Sequence, residues 1–146
     1  DVAYNCFLGG NVMEMLVNVD VDDLEKAVAF YRDGLGLHTE RWLFDGSVAE
    51  MTGASSKIHL LAKAPGSAAL SQAAIYRSYR RHWTPVHLDF IVNDIVAAVR
   101  RATAAGAISE GETQSFEWGR MANLSDPFGH GFCLLQVGSN DYDEVV

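Results

Sequence analysis

Five histidines and two cysteines are the side chains of this chain best suited to bind a metal or move a proton. His59, His87 and Cys133 carry the interest, because imidazole and thiolate are competent ligands for zinc, iron or copper. No pair of them has the local spacing of a structural metal motif, so a polar, metal-free pocket wall is the competing reading. For Cys133, a small apolar filler competes as well. His38 follows the glycine-rich end of a helix, where a cation favours the dipole. His82 lies in the basic-aromatic run Arg80-Arg81-His82-Trp83, which reads as solvated linker or as a contact for an anionic group. His130 sits in an Asp-Pro-Phe-Gly turn and is explained by turn geometry. No Ser-His-Asp order, nucleophile elbow, phosphate loop or dinucleotide fingerprint is present, which removes hydrolase, kinase and nicotinamide-dependent readings.

The elements that must position these groups are written twice. Leu16 to Val21 alternates, with Val17, Val19 and Val21 on one apolar face. Asp22-Asp23 can cap a following helix with the stripe Leu24, Ala27, Val28 and Tyr31, closed by Gly34 and Gly36. The pattern returns in His87 to Val92, with Leu88, Phe90 and Val92 on one face. Asn93-Asp94 then cap a helix striped by Ile95, Ala98, Val99 and Ala102, and Gly106 ends it. Short strands follow each helix: 37–44, 47–52 and 57–63 in the first half, 108–116, 120–124 and 131–137 in the second. The expected class is α+β, two tandem β-α-β-β-β modules forming a curved mixed sheet around a cleft. Module 1 spans 14–64, a linker 65–84 (a short helix or ordered loop), and module 2 85–137, together one domain over 14–137. Residues 1–13 read as an N-terminal or adventitious extension, and 138–146 as an acidic tail.

If each helix covers the valine or leucine face, the opposite face carries the polar residues. That face collects Asn18 and His59 from one half and His87, Asp89 and Cys133 from the other, and a one-residue slip would invert all of it.

The net charge of −8 disfavours nucleic acid, whose binding depends on neutralising phosphates. No apolar run is long enough to span a membrane. Two cysteines, Cys6 and Cys133, are too few for a disulfide framework, so a soluble, reduced, cytoplasmic protein is expected.

Val19 to Tyr31, followed by Gly34-Leu35-Gly36, resembles the first strand and helix of the vicinal oxygen chelate superfamily of glyoxalases, bleomycin-resistance proteins and dioxygenases. Ser125 to Phe132 resembles the superfamily's turn into its final strand. Metal-dependent members place His or Gln near the start of each first strand and Glu in each last strand. Those positions fall here on Leu16, His59, His87 and Cys133, and His87 alone has the usual type. The resemblance therefore implies a metal-free, resistance-like protein binding a small, flat, aromatic or cationic molecule, commonly as a homodimer. Trp42, Phe44, Trp83, Phe116 and Trp118 would supply aromatic area, and Glu50, Asp89, Glu110, Glu112 and Glu117 negative charge. Trp42/Phe44 and Phe116/Trp118 lie at period two, so each pair is expected to share a face. No cofactor is expected. The alternatives are a zinc or iron lyase, isomerase or dioxygenase built on His59, His87 and Cys133, and a metal-free enzyme with His59 or His87 as acid or base.

Overall fold

Alternation at the start of each half produces the first strand of each of two sheets. The structure, a computed structural model, describes residues 13–138. Residues 1–12, Cys6 among them, and residues 139–146, on which the readings of an extension and an acidic tail fall, lie outside the described residues. β1 (Leu16–Val21) leads into α1 (Leu24–Leu35), then β2 (His38–Leu43), β3 (Val48–Thr52) and β4 (Lys57–Ala62). The sheet order is β1-β4-β3-β2, with β1 parallel to β4 and the other pairs antiparallel. In the second half β5 (Leu88–Ile91) leads into α2 (Ile95–Ala104), β6 (Ile108–Ser109), β7 (Gln114–Phe116), β8 (Gly119–Ser125) and β9 (Gly131–Val137). Its order is β5-β9-β8-β6, with β7 also on β8 and β5 parallel to β9. The fold is α+β with two mixed sheets.

Asp23 and Asp94 cap the helices through their side chains, accepting from the amides of Lys26 at 3.0 Å and Ala97 at 3.1 Å. Gly36 ends α1 in the left-handed conformation, φ 75°. The apolar faces turn inward as the alternation requires. Val21, Ile58, Leu60, Phe132 and Leu134 are buried, and Val17, Val19, Phe90 and Val92 pack against them. The helices also pack on each other. Gly34 lies against Ala105, and Arg101 donates to the backbone carbonyl of Asp33 at 2.7 Å. A chain of edge-on rings, Tyr31 to Phe30 to Phe132 to Phe90, crosses from α1 into the second sheet. The apolar core is therefore shared by both halves.

Three local expectations change. The segment 108–116 is two strands and not one, because Gly111 (φ 134°) turns the chain between them. Phe44 does not continue the strand of Trp42; with φ 52° at both Phe44 and Asp45 it lies in the turn before β3. Phe116 and Trp118 straddle a hairpin tip, since Phe116 pairs with Gly119, and their rings stack on each other at 5.2 Å. The period-two face expected for each pair is lost to turn geometry. The linker is an ordered loop without a helix. Arg77 pins it, donating to Asp20 Oδ2 and to the Ala68 carbonyl, each at 2.6 Å.

Asp126 joins the halves. Its carboxylate, 2% exposed, accepts from the Tyr31 hydroxyl at 2.8 Å and from the amides of Phe128 at 2.8 Å and His130 at 2.9 Å. Burial, with the carboxylate beside it, holds the Tyr31 phenol well above its ordinary pKa, so it remains a donor. Tyr31→Phe leaves the ring packing intact and removes one charge-assisted bond, so unfolding stability by denaturant titration should fall by about 1.5–3 kcal/mol. An unchanged midpoint would show that this bond does not tie the halves together.

Candidate functional site

Register decides which polar groups meet on the faces turned away from the helices. In the first sheet Asn18 pairs with His59, His59 with Glu50, and Glu50 with Arg41, a polar row across all four strands. In the second sheet Asp89 pairs with Cys133 and Cys133 with Asn123, a shorter row in the corresponding place. The two rows belong to different sheets.

The first row is saturated with charge. Glu50, its side chain 3% exposed, accepts from Arg41 Nε at 2.9 Å, Lys57 Nζ at 3.0 Å and His59 Nε2 at 2.9 Å. Donation from Arg41, then His59 and Lys57, holds the Glu50 carboxyl down at about 2. Glu50 is therefore a charge anchor within the wall and offers little free negative charge to a cationic ligand. His59 turns one ring nitrogen to it.

The second row is thiol chemistry. Cys133 Sγ donates to Asn123 Oδ1 at 3.2 Å. Burial, and then the charges of Asp89 and Glu110, push the Cys133 thiol up to about 11, so it is protonated near neutrality. His87 Nε2 lies 3.2 Å from Asp89 Oδ1. Ligand-capable atoms of His87, Asp89 and Cys133 lie within 4.8 Å of one another. One nitrogen, one oxygen and one sulfur donor so grouped fit zinc, provided the metal displaces the thiol proton. His59 is not part of this cluster, so the three-residue set expected from the sequence divides: His87 and Cys133 meet, with Asp89 in the third place.

Two cavities each take in more than one of these groups. One, about 340 Å³, is bounded by Arg81, Trp83, Thr84, His87, Glu110, Met121, Asn123 and Cys133. Trp83 is 78% exposed at its rim. Arg81 Nη2 donates to Glu110 Oε2 at 2.8 Å across the same rim, and that pairing lowers the Glu110 carboxyl from its ordinary value. The other, about 360 Å³, lies between β1 and β5 and takes in Asn18, Asp20, His82, His87 and His130. Asn18 and His87 thus share a cavity. Trp42 and Phe44 are exposed at the far edge of the first sheet, and Phe116 at the β7–β8 hairpin, with Trp118 half-buried against it. Glu112 and Glu117 are exposed. The residues that reading the sequence missed are Arg41, Lys57, Asn123, Met121 and Thr84, while Arg81, read as a contact for an anionic group, pairs with Glu110. Each depends on cross-strand register or on where the linker docks, and a single strand's periodicity reports neither.

Two mixed sheets, each with its first strand parallel to its last and a helix over one face, define the architecture of the glyoxalase, bleomycin-resistance and dioxygenase proteins. The glyoxalase-like domain family matches residues 16–135, and the chain belongs to that family, within the vicinal oxygen chelate superfamily. It is 33% identical over 121 residues to the anthracycline biosynthesis protein DauV of Streptomyces sp. (strain C5), a match covering 83% of this chain and 40% of DauV. The chain thus spans less than half the length of that relative. Among solved structures it is similar to TnmS3, an antibiotic binding protein from Streptomyces sp. CB03234, at TM-score 0.60 and 25% identity, covering 87% of this chain and 97% of TnmS3. It shares its fold with the fosfomycin resistance protein FosX of Listeria monocytogenes, at TM-score 0.69 and 17% identity, covering 94% and 100% of the two chains.

Because the folded Glu50 carboxyl is depressed, its contribution to stability is complete above the ordinary carboxyl range, near 4.5, and is lost as pH falls toward 2. Glu50→Gln should therefore be less stable than the parent near pH 6, and the gap should close on acidification. A gap that is constant with pH in thermal melts would contradict the ionic role of Glu50.

Proposed function

We propose that this chain binds a planar aromatic molecule of antibiotic type in the cavity between Trp83, His87, Glu110, Asn123 and Cys133, and does so without a metal. The observation that carries this reading is the cavity itself: an exposed indole at the rim, apolar Met121 within, and a few convergent polar groups. A protonated thiol already bonded to Asn123 suits a binding wall better than a preformed thiolate site. The antibiotic-binding TnmS3 and the anthracycline biosynthesis protein DauV support the ligand class. The charge-anchored first row carries Arg41 and Lys57 around a single Glu50, which favours a ligand with neutral or acidic oxygens over a simple cation on that side.

The units 14–64 and 85–137 are read as tandem copies joined by the linker 65–84. Their open rows lie on different sheets, so a homodimer would complete each cleft by setting the Asn18–His59–Glu50–Arg41 row of one protomer against the Asp89–Cys133–Asn123 row of its partner. Sequestration requires no catalytic group. A reduced, cytoplasmic setting would keep Cys133 a thiol. The second reading, a zinc or iron enzyme, rests on the convergence of His87, Asp89 and Cys133. In it these three hold the metal, which would polarise a substrate oxygen.

Fluorescence titration with an anthracycline separates the readings. The parent chain should bind at micromolar concentration or tighter, and Trp83→Ala should weaken binding about tenfold, the equivalent of about 1.4 kcal/mol. Equal affinity of parent and variant would remove Trp83 and this cavity from the account. About one equivalent of tightly held zinc, lost in His87→Ala, would favour the enzyme.

A further inference from the structure

His82 and His130 pose a proton-counting problem that neutral imidazoles cannot solve. His82 Nδ1 lies 2.9 Å from the carbonyl oxygen of Arg80, and His130 Nε2 lies 2.7 Å from the carbonyl oxygen of Asp20. Carbonyl oxygens only accept, so both of these nitrogens carry protons. The two remaining nitrogens, His82 Nε2 and His130 Nδ1, face each other at 3.0 Å. In two neutral rings both would be bare lone pairs, and the contact would be repulsive. One further proton between them turns it into a charge-assisted hydrogen bond.

We infer that His82 and His130 form a proton-binding site, in which one proton beyond those of two neutral imidazoles staples the linker to both sheets. The three connected segments are far apart in sequence: Asp20 in β1, His82 in the linker, and His130 in the turn before β9. The linker already rests on that turn. The His82 amide donates to the Gly129 carbonyl at 3.1 Å, and a Cβ on Gly129, where φ is +82°, would strike the Arg80 backbone.

The surrounding charges leave the pair free to respond. The Asp20 carboxylate is taken by Arg77, the Asp126 carboxylate by Tyr31 and two backbone amides, and Glu110 by Arg81. Arg80 presents its carbonyl, and the Tyr79 ring stands edge-on to His130 at 6.4 Å, its hydroxyl donating to Lys63 O. Asp22 is near Tyr79, and His87 lies across the shared cavity. No carboxylate is bonded to either ring among the described residues, so the bound proton has no fixed counter-ion. The staple forms as the pair takes up the proton and opens as pH rises and the proton leaves. Its effect reaches the binding region because Thr84, two residues on, lines both cavities and Trp83 stands at the rim of one. The inference does not depend on what those cavities hold.

The test is a side-chain nitrogen NMR titration of the full chain labelled in histidine, across about pH 5–8, the range in which imidazoles exchange charge. At the acidic end three of the pair's four ring nitrogens should be protonated, with scalar coupling across His82 Nε2 and His130 Nδ1. Both should disappear together as pH rises. Two independent single-ring titrations without coupling would overturn the proposal. A second measurement uses hydrogen exchange at the residue-82 amide, which donates to the Gly129 carbonyl at 3.1 Å. Its protection in the parent should fall about tenfold beyond the intrinsic pH effect between about pH 6 and 8. His82→Gln, whose amide can donate to His130 without an added proton, should retain protection at both ends. Parallel pH dependence in parent and His82→Gln would show that the shared proton holds nothing.

Discussion

The rest of the structure depends on one buried carboxylate. Asp126 sits in the turn before the last strand with no solvent to stabilise its charge, and three donors from two halves of the chain replace that solvent. A buried charge with a partner removed is costly, commonly several kcal/mol, so the turn, the hydroxyl of α1 and the approach of the helices are set together. With that turn fixed, Gly129 offers its open surface to the linker, His82 reaches His130, and Trp83 and Thr84 come to the cavity rim. The site is thus downstream of a structural constraint about which its own residues carry no information.

The two polar rows show how one architecture makes two different walls. Each arises because a helix covers the apolar face of a pleated sheet, leaving alternate residues on the other. In the first row a carboxylate stands opposite an imidazole and gathers Arg41 and Lys57, so its negative charge is more than matched inside the wall. In the second a thiol stands between Asp89 and Asn123, and burial, followed by nearby negative charge, keeps its proton on. The first wall is ionic; the second is polar and, near neutral pH, carries a protonated thiol.

Long periodic elements are legible in the sequence itself. Val17/Val19/Val21 and Leu24/Ala27/Val28/Tyr31 announce a strand and a helix by period alone, and Asp23 and Asp94 cap their helices as read. The face assignment of Asn18, His59, Asp89 and Cys133 also followed, because it needs only alternation within a strand. Partnerships between strands did not follow. Nothing local tells Glu50 that it will sit opposite His59, or Cys133 that Asn123 will accept from it. Short-range geometry misled at Phe44 and Trp118, where turns override a period of two residues. The division of His59 from His87 was equally invisible, since it depends on the strands closing into two sheets. The His82–His130 pair needed the docking of a linker whose composition reads as a short helix or an ordered loop.

The claim at the centre of this account is that the second row binds an organic ligand with its own side chains and no metal. Calorimetric titration of the chelator-treated chain with an anthracycline, before and after adding back zinc, tests it most directly. The account predicts one ligand per chain and the same affinity in both titrations. Binding that vanishes on chelation and returns with zinc would contradict it, and would make His87, Asp89 and Cys133 the ligands of a metal on which the activity depends.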